Sequence, residues 1–168
     1  MGVRQSNLAG FLATLLLTLR TLVYMTCFLL LFWWIAFSVR VFDRAVGVML
    51  PAGSSIVGVF LMAAGGILAL ACAGVFIAIG RGTPAIFDAP REFVARGPYR
   101  YVRNPMYIGG LILLLGFGLY ERSISILVFA AALFLPVHLF VVYYEEPRLR
   151  KEFGARYENF CKTVPRWL

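Results

Sequence analysis

The sequence predicts an all-α integral membrane bundle of about four transmembrane helices, or five if residues 8–19 contribute one, followed by a C-terminal amphipathic helix in the membrane interface. Three observations carry this. Apolar residues make up 61% of the 168 positions and charged residues only 14%, against roughly half and a quarter in a soluble domain. Mean hydropathy is +0.84. The few charges are gathered between long charge-free runs. A soluble chain of this length exposes too much of its surface to hide so much apolar side chain. Disorder, a coiled coil and a soluble α/β enzyme are therefore excluded.

A helix needs about 20 apolar residues to cross the hydrocarbon core. The first candidate is residues 21–39, between Arg20 and Arg40. Residues 8–19 either extend it or lie on the membrane surface, and are not counted as a separate span. The N-terminus carries only Arg4 before this stretch, and the apolar run continues far past a signal-peptide core, so a retained first helix is expected. The second run, 45–80, is too long for one helix and too short for two. Pro51, Gly53, Ser54 and Ser55 trim its start, leaving a span near 55–79. Gly65, Ala69 and Ala73 recur every fourth residue along it, a stripe that permits close helix packing. Residues 104–120 and 123–144 form the third and fourth spans, and Glu121-Arg122-Ser123 between them predicts a tight antiparallel hairpin.

Lys and Arg total 16 and Asp and Glu 8, a net charge of +8. In a chain this apolar the excess sets topology and meets anionic headgroups. No nucleic-acid partner is expected, because no basic-aromatic platform or groove-reading motif is present. With four spans, 13 basic residues (Arg4, Arg20, Arg81, Arg91, Arg96, Arg100, Arg103, Arg148, Arg150, Lys151, Arg156, Lys162 and Arg166) share one side, and Arg40, Arg44 and Arg122 take the other. The richer side, with both termini, is expected to be cytoplasmic. Cys27, Cys72 and Cys161 have neither metal-binding nor redox spacing and read as packing residues, so no metal site is expected.

Polar residues outside the spans form two blocks. In the first, residues 97–109, Pro105 suits a first helical position and Asn104 before it an N-cap. Free backbone N–H groups there, with Arg103, would hold a carboxylate or phosphate; equally, Asn104 only caps and the arginines only meet lipid phosphate. In the second, Glu145 and Glu146 follow the fourth span directly. Carboxylates at a membrane boundary must be paired or solvated. They form ion pairs with the nearby arginines, or hold a cation or ribose hydroxyls. His138, the single histidine, stands seven residues before Glu145, on the same helical face. It is either a functional group or a neutral histidine bonded to a neighbouring helix. After Pro147, residues Leu149, Phe153, Tyr157, Phe160 and Val164 recur at helical spacing between charges, an amphipathic helix able to fold back over Asn104.

These blocks carry a resemblance. Gly97-Pro98-Tyr99, then the run from Arg103 to Gly109, then Glu145-Glu146, Leu149, Phe153-Gly154, Tyr157 and Val164-Pro165-Arg166 resemble the isoprenylcysteine carboxyl methyltransferase and phospholipid methyltransferase superfamily over about residues 95–168. The resemblance implies an integral membrane methyltransferase using S-adenosylmethionine, with Arg103, Asn104, Pro105, Tyr107, Glu145 and Glu146 helping to build the cofactor pocket. Arg103, Asn104, Glu145 and Glu146 are the catalytic candidates; Tyr99 and His138 join the cofactor set. The family commonly has His where this chain has Asn104, which cannot carry a proton. Tyr107, Tyr143 and Tyr144 are candidates to face a sulfonium.

The implied function is methyl transfer to a lipidic or prenylated acceptor, a carboxylate or a lipid amine, at the cytoplasmic face. The alternatives are an NADPH-dependent membrane sterol-type reductase, which has a similar Val-Pro ending, and a non-catalytic membrane scaffold of the same fold. The chain is read as one domain, residues 1–80 supplying spans and 81–168 the motif-bearing half.

Overall fold

The computed structural model describes residues 2–80 and 93–168, and is all-α throughout these. Helix α1 (Gly2–Val39) is continuous, so residues 8–19 extend the first helix and form no separate one. At 38 residues it is about 57 Å long, well beyond the hydrocarbon core. A tight turn at Arg40–Phe42 leads to the one-turn α2 (Asp43–Val46), which Gly47 ends in the left-handed region at φ 66°. Helix α3 (Ser54–Val75) opens after a turn in which Ser54 N donates to Pro51 O, and widens into a π-helical turn at Phe76–Gly80. This matches the expected 55–79 span.

Helix α4 (Pro105–Tyr120) begins on Pro105, as its fixed φ favours. Glu121 and Arg122 (φ 56°) reverse the chain, and Ser123 Oγ accepts from Ile126 N to cap α5 (Ile124–Phe140). The predicted hairpin is present. Beyond α5 the helix continues through a π-helical turn (Val141–Glu145) into α6 (Glu146–Phe153). Pro147 explains the wide turn. It has no N–H, and its ring crowds the carbonyl four residues back; Glu146 N–H instead reaches Val141 O, five residues back. The expected single amphipathic helix is in fact two, α6 and α7 (Ala155–Thr163). Gly154 breaks it at φ 51°, ψ −129°, a conformation L side chains rarely adopt.

Three helical runs among the described residues are long and apolar enough to cross a membrane: Thr14–Val46, Ser54–Ile79 and Ile124–Phe153. The outer faces are apolar, with Trp34, Met49 and Phe60 each about 70% exposed, as a lipid-facing surface requires. Inside, Ala36 of α1 meets Leu114 of α4 and Ile126 and Ala130 of α5.

Helices α3 and α4 run antiparallel at backbone contact. A Cβ on Gly65 would stand 2.5 Å from Gly109 O, and one on Gly58 2.6 Å from Gly116 O. Each helix therefore contributes two glycines, two turns apart. The predicted small-residue stripe supplied Gly65; Gly58 lies a heptad earlier, and the partners Gly109 and Gly116 sit on α4. Such contact holds helices together by packing where lipid removes the hydrophobic drive.

Candidate active site at the motif end of the bundle

Glu146 is the hub. It is 2% exposed, and three guanidinium groups converge on it. Arg103 Nη1 donates to Oε1 at 2.9 Å; Arg166 donates from Nε to Oε1 at 2.6 Å and from Nη2 to Oε2 at 3.0 Å; Arg150 Nη2 stands 3.4 Å from Oε2. A buried carboxylate is tolerated only with such partners. The hydrogen bond to Glu146 holds the Arg166 guanidinium above its ordinary pKa. Three positive groups to one negative leaves the cluster cationic.

Arg103 is the most constrained of the three. Its Nη1 also reaches Cys161 Sγ at 2.9 Å, and its Nε is buried with no hydrogen-bond partner among the described residues. Burial, with the nearby Glu146 charge adding to it, pushes the Tyr157 phenol up, so Tyr157 stays neutral beside Cys161 and Arg103. Phe93 packs its ring against Phe153, Tyr157 and Phe160, so the residues leading into the first block rest on α6 and α7.

Asn104 does not cap α4 with its side chain, contrary to the sequence expectation. Its backbone lies at φ −124°, ψ 50°, and its Nδ2 donates instead to Arg166 O at 3.1 Å. Next to it, Arg103 N donates to Pro165 O at 2.9 Å. The 164–166 segment thus folds back on the entrance of α4, as the amphipathic pattern suggested.

Glu145 has a separate partner. Tyr107 Oη donates to its Oε2 at 2.9 Å. Pro105 is buried beneath, and Tyr99 is buried against Cys72 and edge-on to Phe76. Burial, reinforced by Cys72, raises the Tyr99 phenol well above its usual pKa. The three candidate tyrosines separate. Tyr107 is at the site, whereas Tyr143 is 76% exposed and Tyr144 stacks on Phe140. His138 and Glu145 take different hydrogen-bond partners, and the π-helical turn between them shifts the helical register. Its Nδ1 accepts from Trp167 Nε1 at 2.9 Å.

The structure therefore gathers Arg103, Asn104, Pro105, Tyr107, Glu145 and Glu146 at one end of the α4–α5 hairpin. Arg150, Tyr157, Cys161 and Trp167 were not picked out as site candidates. Arg166 and Tyr157 had one signal, their place among the residues that carry the resemblance; Trp167 had only its place at the end of the second polar block.

A model of the phospholipid methyltransferase family matches residues 54–156. The chain belongs to that family. The match takes in α3, the first motif block and the start of the second, so it begins earlier than the resemblance did, and it stops before Tyr157 and Val164-Pro165-Arg166. No curated protein and no solved structure shows a significant match. As a phospholipid methyltransferase family member the chain is an integral membrane, S-adenosylmethionine-dependent methyltransferase acting on a lipid-type substrate. The reductase and scaffold alternatives are set aside.

Proposed function

We propose that this enzyme methylates the amine of a phospholipid headgroup, with its cofactor pocket at the cytoplasmic end of the α4–α5 hairpin. The observation that carries the site is the division of labour between adjacent carboxylates: Glu146 is spent on three arginines, while Glu145 is held by Tyr107 alone among its hydrogen bonds described above. The family match favours an amine over a prenylated carboxylate as acceptor.

The donor set fits S-adenosylmethionine. The unpartnered Arg103 Nε, in a cationic cluster, suits its carboxylate. Glu145 suits its amine or ribose hydroxyls. Asn104, Pro105 and Tyr99 shape the floor, Glu146 fixes Arg103, and His138, bonded to Trp167 beside the Arg166 that grips Glu146, is assigned to the pocket's edge. When bound, the cofactor supplies an already activated methyl group. The protein's task is then to align the acceptor and exclude water. An ammonium acceptor must first lose a proton, and we assign that step to Glu145 for the case in which it meets only the ribose hydroxyls of the cofactor.

Four spans are the reading we favour. Helix α4, 16 residues or about 24 Å, is short for a span but lies between α3 and α5 and is apolar throughout. The positive-inside rule puts the motif end in the cytoplasm. Arg103, Arg148, Arg150 and Arg166 belong to that end, and Arg40 and Arg122 to the other; Arg81 and Arg91, expected at the motif end, lie outside the described residues. The chain acts as one domain, residues 1–80 buttressing the motif-bearing 81–168.

Calorimetric titration of the detergent-purified protein with S-adenosylhomocysteine, with NADPH in parallel, tests the pocket. We expect saturable binding of the first, abolished in Glu145→Gln/Glu146→Gln. Radiolabelled methyl transfer to phosphatidylethanolamine and to a prenylcysteine then tests the acceptor. Labelling of the prenylcysteine alone would overturn the amine reading.

A further inference from the structure

Trp167 lies outside the residues matched to the family, yet it reaches back onto α5. Its Nε1 donates to His138 Nδ1 at 2.9 Å, and its ring meets Phe134 edge-on with centroids 5.2 Å apart. It follows Arg166, whose guanidinium grips Glu146 and whose carbonyl accepts from Asn104. The single histidine of the chain is thereby tied to the same segment that closes the site.

The chemistry of this bond is one-directional. An indole N–H can only donate, so the imidazole nitrogen facing it must be bare. In the neutral ring the proton then sits on Nε2. Protonating Nδ1 would place two N–H groups against each other. Held this way, His138 keeps its N–H on Nε2, and its one lone pair for taking a proton is occupied.

We propose that Trp167 is a positioning residue that holds His138 as a neutral Nε2–H donor, so that His138 binds an oxygen of the methyl acceptor and does not remove its proton. This rests on the methyl-transfer reading above and deepens it, assigning proton removal elsewhere than His138. A donor in an apolar span suits an anionic headgroup oxygen, which lacks water to pair with there.

Because His138 is the only histidine, ¹⁵N-histidine labelling of the full chain in micelles gives one imidazole to read. Wild type is expected to show a bare Nδ1 and a protonated Nε2, and Trp167→Phe, which keeps the ring against Phe134, a mixture of tautomers. A proton on Nδ1 in wild type, or an unchanged ratio in Trp167→Phe, overturns the proposal. Should Trp167→Phe fail to fold, the wild-type spectrum alone decides the tautomer. In methyl-transfer kinetics, Trp167→Phe should raise KM for the lipid about fivefold, the weight of one hydrogen bond, with kcat within twofold. His138→Leu should raise KM as Trp167→Phe does, and His138→Gln, which keeps a donor where Nε2 stood, should raise it by less. Loss of about 100-fold in kcat for His138→Gln would mark a general base and overturn it. If no acceptor is methylated by wild type, the methyl-transfer reading fails while the tautomer spectrum still reports on the Trp167–His138 bond.

Discussion

The two ends of the helical bundle handle charge in opposite ways. At the α4–α5 turn, polar groups pair close to one for one. Arg40 meets Glu121, Asp43 Oδ1 accepts from Ser125 N at 2.9 Å, and Arg122 Nε donates to Leu50 O at 2.7 Å. Ser54 and Ser55 hydroxyls take the carbonyls of Leu119 and Tyr120. Each bond ties one chain reversal to a neighbour; Ser125 Oγ is the one side-chain atom there that is buried without a partner among the described residues, and no cluster of like charge surrounds it. At the motif end one buried carboxylate answers to three arginines, and Arg103 Nε has no partner among the described residues. The first arrangement closes a fold; the second keeps positive charge and a donor in reserve, which is what an anionic cofactor group needs.

Substitutions should separate the ends. The largest effect is expected for Glu146→Gln, which leaves three guanidinium groups without their counter-charge. Removing one side of a buried ion cluster costs about 3–5 kcal/mol, so thermal unfolding in detergent should fall steeply and S-adenosylhomocysteine binding should disappear. An unchanged midpoint would reduce the cluster to surface pairing. Next comes Gly65→Ala. Its Cβ would lie 2.5 Å from Gly109 O, so α3 and α4 must part, at a cost of about 1–3 kcal/mol; unfolding midpoints measure it, with Gly66→Ala, where only a side-chain atom lies near at 3.9 Å, as a mild control.

Tyr107→Phe should leave the fold intact and weaken S-adenosylhomocysteine binding about tenfold, since a hydrogen bond to a charged group is worth about 1.5–3 kcal/mol. Equal affinity would place Glu145 outside the pocket. The smallest effect is expected at the turn. Glu121→Gln removes a partly exposed pair with Arg40, worth below about 1 kcal/mol, and calorimetry should find cofactor affinity unmoved. A loss of binding there would mean that the two ends are coupled.

Much of the fold was legible in the residues. Charge-free runs gave the helices, Pro51 to Ser55 the start of α3, Pro105 the start of α4, and Glu121-Arg122-Ser123 the hairpin. The misreadings share a cause. Asn104 has the residue type and position of an N-cap, yet its amide turns to Arg166, 62 residues away. His138 and Glu145 have the spacing of one helical face, yet Pro147 forces a wider turn that shifts their register. The C-terminal pattern read as one helix, because a periodic count does not register the backbone sign that Gly154 adopts.

By itself the sequence determined that this chain lives in a membrane, where α3, α4 and the hairpin after α4 fall, and to which family its motif blocks belong. Those follow from hydropathy, turn chemistry and residue type, which act within a few residues. Only the tertiary structure decided which partner each polar group takes: Glu146 with Arg103 and Arg166, Glu145 with Tyr107, His138 with Trp167. Those pairings span 20 to 43 residues. They are set by how closely α3 and α4 approach on their glycines and by where the 164–167 segment lands, and no local pattern carries that information.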